Sequence, residues 1–363
     1  MTTKRIGFCC KWLDPETGTK HDLGTRATTV AWLNRQTRDQ AVERLWEITK
    51  HNLEATLNLV KRVGEDCDDL RMVRIGSDLL PMYTQHDWGW FYRQPDVQSF
   101  VAAGFADVGR VARELDVRLS FHPGQYCVLA SDNDGIVERS IEEFEYHVDM
   151  ARWMGYGASW HDHGFKINVH LSGRGGADKF LRSLGRMTPE ARNLITIEND
   201  EMTNGLDTTL AVSKHVALVL DIHHHWINTG EYILASDDRT KRVVDSWRGV
   251  RPVLHYSVSR EDILVDHCTR TRPNLAGLIE RGHKKQQLRA HSDFYWNESV
   301  NEWAYTFWPR FDIQLESKAK NLARDRFYAQ FTGLRVSLDS EDQVQESVEV
   351  KAAQVEAEEV DLV

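Results

Sequence analysis

"VALVLDIHHHW", residues 216–226, opens on five apolar residues, turns acidic at Asp221 and places three histidines in a row before Trp226. The apolar run reads as a strand, with a carboxylate at its C-terminal end. The histidines that follow are open to three readings: a metal site, a catalytic base, or a polar loop that happens to be rich in histidine.

Outward from this run, similar short apolar stretches recur: Arg5–Cys9, Met72–Gly76, Val117–Phe121, Lys166–Val169, Leu194–Ile197, Pro252–Leu254 and Phe311–Leu315. Between them lie helical patterns. The longest runs from Thr37, a capping residue, to Gly64, with Val42, Leu45, Trp46, Leu53, Leu57 and Val60 on its apolar side. Others lie near 96–115, 134–154, 207–214, 239–247 and 318–332, and another precedes Leu194. Strands that alternate with helices indicate a parallel sheet with helical crossovers. Eight such units predict a closed α/β barrel of the (β/α)8 (TIM) type, formed as a single domain over residues 1–335. The alternative is an open doubly wound sheet. The residues after the first strand, Cys9-Cys10-Lys11-Trp12, hold no glycine-rich dinucleotide turn and weaken that alternative.

Composition sets the bounds. With 41% hydrophobic residues among 363, the chain can bury a sizeable core. No apolar run reaches the ~18 residues of a membrane helix, and no secretory leader precedes Ile6, so a soluble, cytoplasmic protein is expected. The cysteines, Cys9, Cys10, Cys67, Cys127 and Cys268, are odd in number and scattered. They predict reduced, mostly buried thiols and neither a disulfide framework nor a CxxC zinc site. The net charge of −10 speaks against nucleic acid on its face. Residues 336–363, however, carry nine acidic residues and one lysine, a net of −8, which leaves about −2 on the body. That segment reads as a disordered acidic extension.

In a barrel of this kind the active site lies at the C-terminal ends of the strands. The residues there are His122, His170, Glu198 (followed by Asn199-Asp200-Glu201), Asp221 with His224 beyond it, His255 and Glu316. A ring of imidazoles and carboxylates without a thiolate suits Mn²⁺, Zn²⁺ or Fe²⁺ better than Ca²⁺ or Cu⁺. So many donors over-supply one ion, so more than one metal is expected, with Glu198 bridging. Histidines that precede strands, His161, His163 and His215, fall on the opposite rim. His51 and His147 sit mid-helix, while His21 and His86 lie in loops on the active rim and remain candidate substrate contacts.

The stretches RIGSDLLP (74–81), LSFHPGQY (119–126), TIENDE (196–201), LDIHHH (220–225), AHSD (290–293) and LESKAK (315–320) are similar, in order and spacing, to the UV damage endonuclease family. The resemblance covers roughly residues 4–332. It implies a TIM barrel related in site layout to endonuclease IV. The implied activity is metal-dependent nicking of double-stranded DNA immediately 5′ to UV photoproducts, cyclobutane dimers and 6-4 products. Other lesions such as abasic sites are implied too. Up to three divalent ions would serve, Mn²⁺ first, with Zn²⁺ or Mg²⁺ as alternatives. The implied metal ligands are His122, His170, Glu198, Asp221, His224, His255, His291 and Glu316, of which Glu198, Asp221 and Glu316 also serve catalysis. His291, in the insertion before the last strand, is contributed by the resemblance alone.

Gln125 and Tyr126 match the pair with which the family probes damaged bases. The physics is sensible, because a poorly stacked lesion is cheap to extrude and an aromatic wedge fills the gap. Phe8 stands where tyrosine is common and is placed beside the lesion without that hydroxyl; Val253 stands where some relatives carry a lysine. Arg74 and the basic run Arg281–Arg289, with Lys284 and Lys285, are expected to contact DNA phosphates. A cluster of cations outweighs its carboxylates and attracts phosphate, which answers the objection from net charge. His224 is expected as a ligand, His223 as packed behind the rim, and His225 as a supporting or phosphate-side residue. The tryptophan-rich loop HDWGWFYRQ (86–94) finds no role. A monomer is expected. The alternatives are an endonuclease IV-like abasic endonuclease, a metal-dependent sugar isomerase on the same barrel, and a non-catalytic damage-binding protein.

Overall fold

A computed structural model describes residues 3–18 and 23–333 of the chain. His21 and the acidic segment 336–363 lie outside the described residues. Eight strands are present: β1 Ile6–Cys10, β2 Met72–Ile75, β3 Arg118–Phe121, β4 Lys166–His170, β5 Ile195–Glu198, β6 Ala217–Asp221, β7 Val253–Tyr256 and β8 Asp312–Leu315. All neighbouring pairs are parallel, and β1 pairs with both β2 and β8, so the sheet closes into a barrel in sequence order. The open-sheet alternative is thereby excluded.

The helices form where their sequences favour them. The helix Arg38–Gly64 begins with a capping box: the Thr37 hydroxyl accepts from the Gln40 amide at 3.3 Å, and the Gln40 side chain accepts from the Thr37 amide at 3.1 Å. Its core face is centred on Leu45, Ile48, Leu59 and Val63, fully or almost fully buried, while Val42, Trp46 and Leu57 lie at its partly covered edge. The helix Pro95–Glu114 packs against it. Gly109 of that helix lies against the Met154 carbonyl, where a Cβ would come within 1.9 Å of the oxygen. Among the described residues, no helix is long and apolar enough to cross a membrane.

One of the open readings closes and one expectation changes. The three histidines are not a polar loop. They form the start of a helix, Ile222–Thr229, that springs directly from β6, with Asp221 as its cap: Asp221 Oδ1 accepts from the His224 amide at 2.7 Å. The five cysteines are unpaired as expected, but only Cys9 and Cys127 are buried, and Cys67 and Cys268 are exposed.

The N-terminal end of the barrel is held by charge. Asp312 is fully buried and accepts from Arg118 Nη1 at 2.7 Å, Arg251 Nε at 2.6 Å and the Arg5 amide at 2.8 Å. His161 is buried at this same end with Nδ1 3.0 Å from the Phe165 carbonyl, and His215 is solvent-facing, so neither reaches the rim that follows the strands.

His147 sits fully buried in the helix Asp134–Trp153, edge-on to Phe121 and Tyr146. Burial, opposed by a hydrogen bond to the Glu143 carbonyl, lowers its pKa from 6.5 to about 4. The unfolded chain therefore binds this proton at a pH where the folded chain does not. The His147 contribution to stability is complete above about pH 6.5 and is lost as pH falls to about 4. It amounts to about 3 kcal/mol. Urea unfolding at pH 7 and pH 4.5 should show this loss, and His147→Gln should reduce it.

Candidate metal centre

Strand register assembles the site. His170 at the end of β4 is the register partner of Glu198 at the end of β5, and Asp221 at the end of β6 is the partner of His255 in β7. His122 follows β3 and Glu316 follows β8. Each of these polar residues ends an apolar strand that the closed barrel holds in place, so together they form one layer across its mouth.

Glu198, fully buried, is the hub. Its Oε2 lies 3.1 Å from His255 Nδ1 and 3.4 Å from His122 Nε2, and its Oε1 lies 3.4 Å from His224 Nδ1. His255 Nδ1 is also 3.3 Å from Glu316 Oε1, and His224 Nδ1 is 3.7 Å from Asp221 Oδ2. The rings of His122 and His170 are 5.1 Å apart, and those of His170 and His224 are 5.3 Å apart.

Further residues fix this layer from behind. Asn168 donates to Glu198 Oε2, and Thr196 Oγ1 donates to Asn168 Oδ1 at 2.8 Å. The Asn199 side chain exchanges two 2.9 Å hydrogen bonds with the Asp221 backbone. Lys166 Nζ approaches His255 Nε2 at 3.2 Å from inside the barrel. His122 Nδ1 is 3.0 Å from the Pro123 carbonyl, which leaves Nε2 toward Glu198.

Electrostatics follow from burial and mutual attraction. Burial pushes His122 and His291 each down to about 4. It also pushes Asp221 well above the usual carboxylate range. Against the cost of its own burial, Glu198 is held well below that range by His255, His170 and its other imidazole neighbours. Such a set is unsatisfied on its own terms. His170 Nδ1, Glu198 Oε1, Asp221 Oδ2 and His255 Nδ1 are buried with no aligned hydrogen-bond partner. Buried polar atoms are rarely left so, and converging nitrogen and carboxylate donors fit divalent cations. Four groups of three bring one donor atom each to within 4.8 Å of one another: His122–His255–Glu316, His122–His170–Glu198, His170–Glu201–His224 and Glu198–Asp221–His224. Residues from six strands could thus hold metal ions.

Not every expected residue joins this cluster. His291 is close enough to Glu316 to feel its charge but falls in none of the four groups. Phe8 is the clearest correction. It is fully buried, packed edge-on to Trp12 at 5.7 Å and beneath the Arg324 guanidinium at 4.9 Å, and so cannot touch DNA. Arg74 is turned inward and paired with Glu316, which removes it as an exposed phosphate contact. In the basic run, Lys285 donates to the Asn228 carbonyl at 2.9 Å and Arg289 pairs with Glu201 at 2.7 Å, while Lys284 stays exposed. His225 pairs with Glu231 at 3.1 Å, so it supports the helix and does not face phosphate. His223 is packed behind the rim as expected, stacked on Trp226. Gln125 and Tyr126 are exposed, Tyr126 at 84%. The sequence assigns no role to Lys166 or Asn168, and it names Glu201 at the strand end without a place among the ligands. Glu201 alone had a usable signal, the fourth position of ENDE.

With the geometry in place, comparison with known proteins decides the family. A model of the family described as UV-endonuclease UvdE matches residues 4–348. The chain belongs to the UvdE family. Its membership makes it an endonuclease. The UV DNA damage endonuclease of Bacillus thuringiensis subsp. konkukian (strain 97-27) is 24% identical over 324 residues, which cover 85% of this chain and 88% of that protein. The UV DNA damage endonuclease of Bacillus velezensis (strain DSM 23117 / BGSC 10A6 / LMG 26770 / FZB42) is 27% identical over 247 residues, 65% of this chain and 73% of that one. The crystal structure of SacUVDE superposes with a TM-score of 0.66 at 21% identity, covering 90% of this chain and 96% of that one, and agrees with the UvdE barrel described above.

Proposed function

We propose that this UvdE-family protein is a metal-dependent repair endonuclease that nicks double-stranded DNA immediately 5′ to UV photoproducts. The observation that carries the reading is Glu198, buried among His122, His224 and His255 with unsatisfied donor atoms around it. An exposed Gln125–Tyr126 pair on the same rim supports a DNA substrate over an enclosed sugar.

His122, His170, Glu198, Asp221, His224, His255 and Glu316 would hold the ions, up to three of them, and the nitrogen–carboxylate donor set suits Mn²⁺, Zn²⁺ or Fe²⁺, of which we take Mn²⁺ first. Bound divalent ions would polarise a phosphodiester and make water a competent nucleophile at neutral pH. The chain's own part is to orient and exclude. Asn168 fixes the Glu198 carboxylate, Asn199 fixes Asp221, and Arg74 restrains Glu316 from the side. Tyr126, exposed at this rim, would wedge into a duplex whose damaged bases stack poorly. Unpaired cysteines suit a reducing cytoplasm.

The test is an end-labelled duplex with one cyclobutane dimer. With Mn²⁺ the expected product ends immediately 5′ to the dimer, and a chelator abolishes it. Cutting at another position, or cutting that survives the chelator, would overturn the reading.

A further inference from the structure

The tryptophan-rich loop that the metal centre leaves without a role lines an open cavity of about 380 Å³. Its other wall is the segment Leu33–Arg38. One wall follows β1 and the other follows β2, so the cavity opens on the same rim as the metal centre. The segment that leads from β2 to this loop is tied to that centre, where Ser77 Oγ donates to the His122 carbonyl at 2.6 Å. The two walls are tied to each other by Trp88 Nε1, which donates to Asn34 Oδ1 at 3.0 Å.

The lining has a definite chemistry. Half-buried Trp90 presents its indole to the cavity, and the largely buried Trp88 backs it, 6.4 Å between centroids and 32° from parallel. The exposed Arg38 guanidinium lies over the Trp90 ring at 4.4 Å. Among the described residues no carboxylate pairs with Arg38, so its N–H groups remain for an outside anion. Asp87 supplies an acceptor carboxylate at the edge. A free cation would compete with Arg38 for the Trp90 ring. A flat ring that carries a phosphate would instead stack on the guanidinium–indole pair, set its phosphate at the guanidinium N–H edge and use the acceptor at the rim. The faces of bases within a duplex are hidden by stacking, so only an unpaired base offers such a ring.

We propose that this cavity binds an unpaired nucleobase of the DNA strand, with the ring stacked on the Arg38–Trp90 pair and the adjoining phosphate on the Arg38 N–H groups. This rests on the proposal that DNA is the substrate and adds a second contact point on the same rim. Base–aromatic stacking sets the expected size of the effect.

The test is fluorescence anisotropy of the metal-loaded, full-length protein with a short labelled oligo(dA), with the blunt duplex of the same sequence as reference. Trp90→Ala should weaken single-strand binding roughly ten-fold relative to the duplex, and Arg38→Ala should weaken it several-fold. Trp90→Phe, which keeps an aromatic face, should recover most of the loss and so separates stacking from misfolding. Single-strand affinity unchanged in Trp90→Ala, or lost equally in Trp90→Phe, overturns the assignment. Nicking of irradiated duplex by the wild-type protein is scored in parallel. If the wild type nicks while Trp90→Ala keeps its affinity, the cavity assignment falls alone. If the wild type neither nicks nor binds DNA, both readings fall.

Discussion

Glu198→Gln should lower nicking by at least ~10³-fold while lowering binding to a lesion-containing duplex far less. The magnitude follows from the several kcal/mol that metal-based charge stabilisation supplies to hydrolysis, at about 1.4 kcal/mol per factor of ten. Glutamine keeps the volume of the side chain. It replaces one carboxylate oxygen with an N–H₂ that faces imidazole nitrogens, at a hub where both oxygens are in use: Oε2 near His122 and His255, Oε1 near His224. Removing a buried negative charge also frees the layer from much of its electrostatic cohesion, so bound metal should fall together with turnover. Single-turnover nicking, anisotropy with uncleaved duplex and elemental analysis of the variant check the three parts separately. A variant that nicks within ten-fold of the wild type would remove Glu198 from the chemistry.

Asp312→Ala should cost about 3–5 kcal/mol of stability, because it leaves buried guanidinium charge without its partner. Arg118 is almost fully buried and Arg251 mostly so, and both point at this carboxylate from 2.7 and 2.6 Å. The Arg5 amide loses its acceptor as well. The contact joins Arg5 just before β1, Arg118 of β3, Asp312 of β8 and Arg251 two residues before β7, so its loss loosens the barrel at the end opposite the metal centre. Urea unfolding of the purified variant gives the number, and a loss under about 1 kcal/mol would show that water or neighbouring groups replace the carboxylate.

The fold was legible because each strand of a closed parallel barrel is covered on both sides. It therefore appears in the sequence as a short apolar run, and the first polar residue after the run is the one at the rim. Glu198, Asp221 and His255 were found in this way, and the structure sets all three within one layer. The same property hid the facing of Phe8. In a run that is apolar on both sides, nothing in the sequence says which residues point into the barrel, and Phe8 packs under Arg324 instead of beside DNA. Arg74 was read as an exposed cation because its partner, Glu316, lies 242 residues away. Glu201 was hidden for a related reason. Its proximity to His170 and His224 depends on how the chain turns after β5, not on strand periodicity. The three histidines were ambiguous until the cap was seen. Asp221 serves twice, holding the His224 amide with one oxygen and leaving the other in the cluster. This arrangement turns a histidine repeat into one candidate ligand, one packed ring and one buried imidazole paired with Glu231.

The most direct test of the central claim, that this layer is a metal centre for cutting damaged DNA, is nicking of supercoiled plasmid. Irradiated and unirradiated plasmid are compared, with protein that has been stripped by chelator and then reloaded with Mn²⁺. Conversion of irradiated plasmid alone to open circles, only by the reloaded protein, is the predicted result. Equal nicking of both plasmids, or equal nicking by the stripped protein, would contradict it.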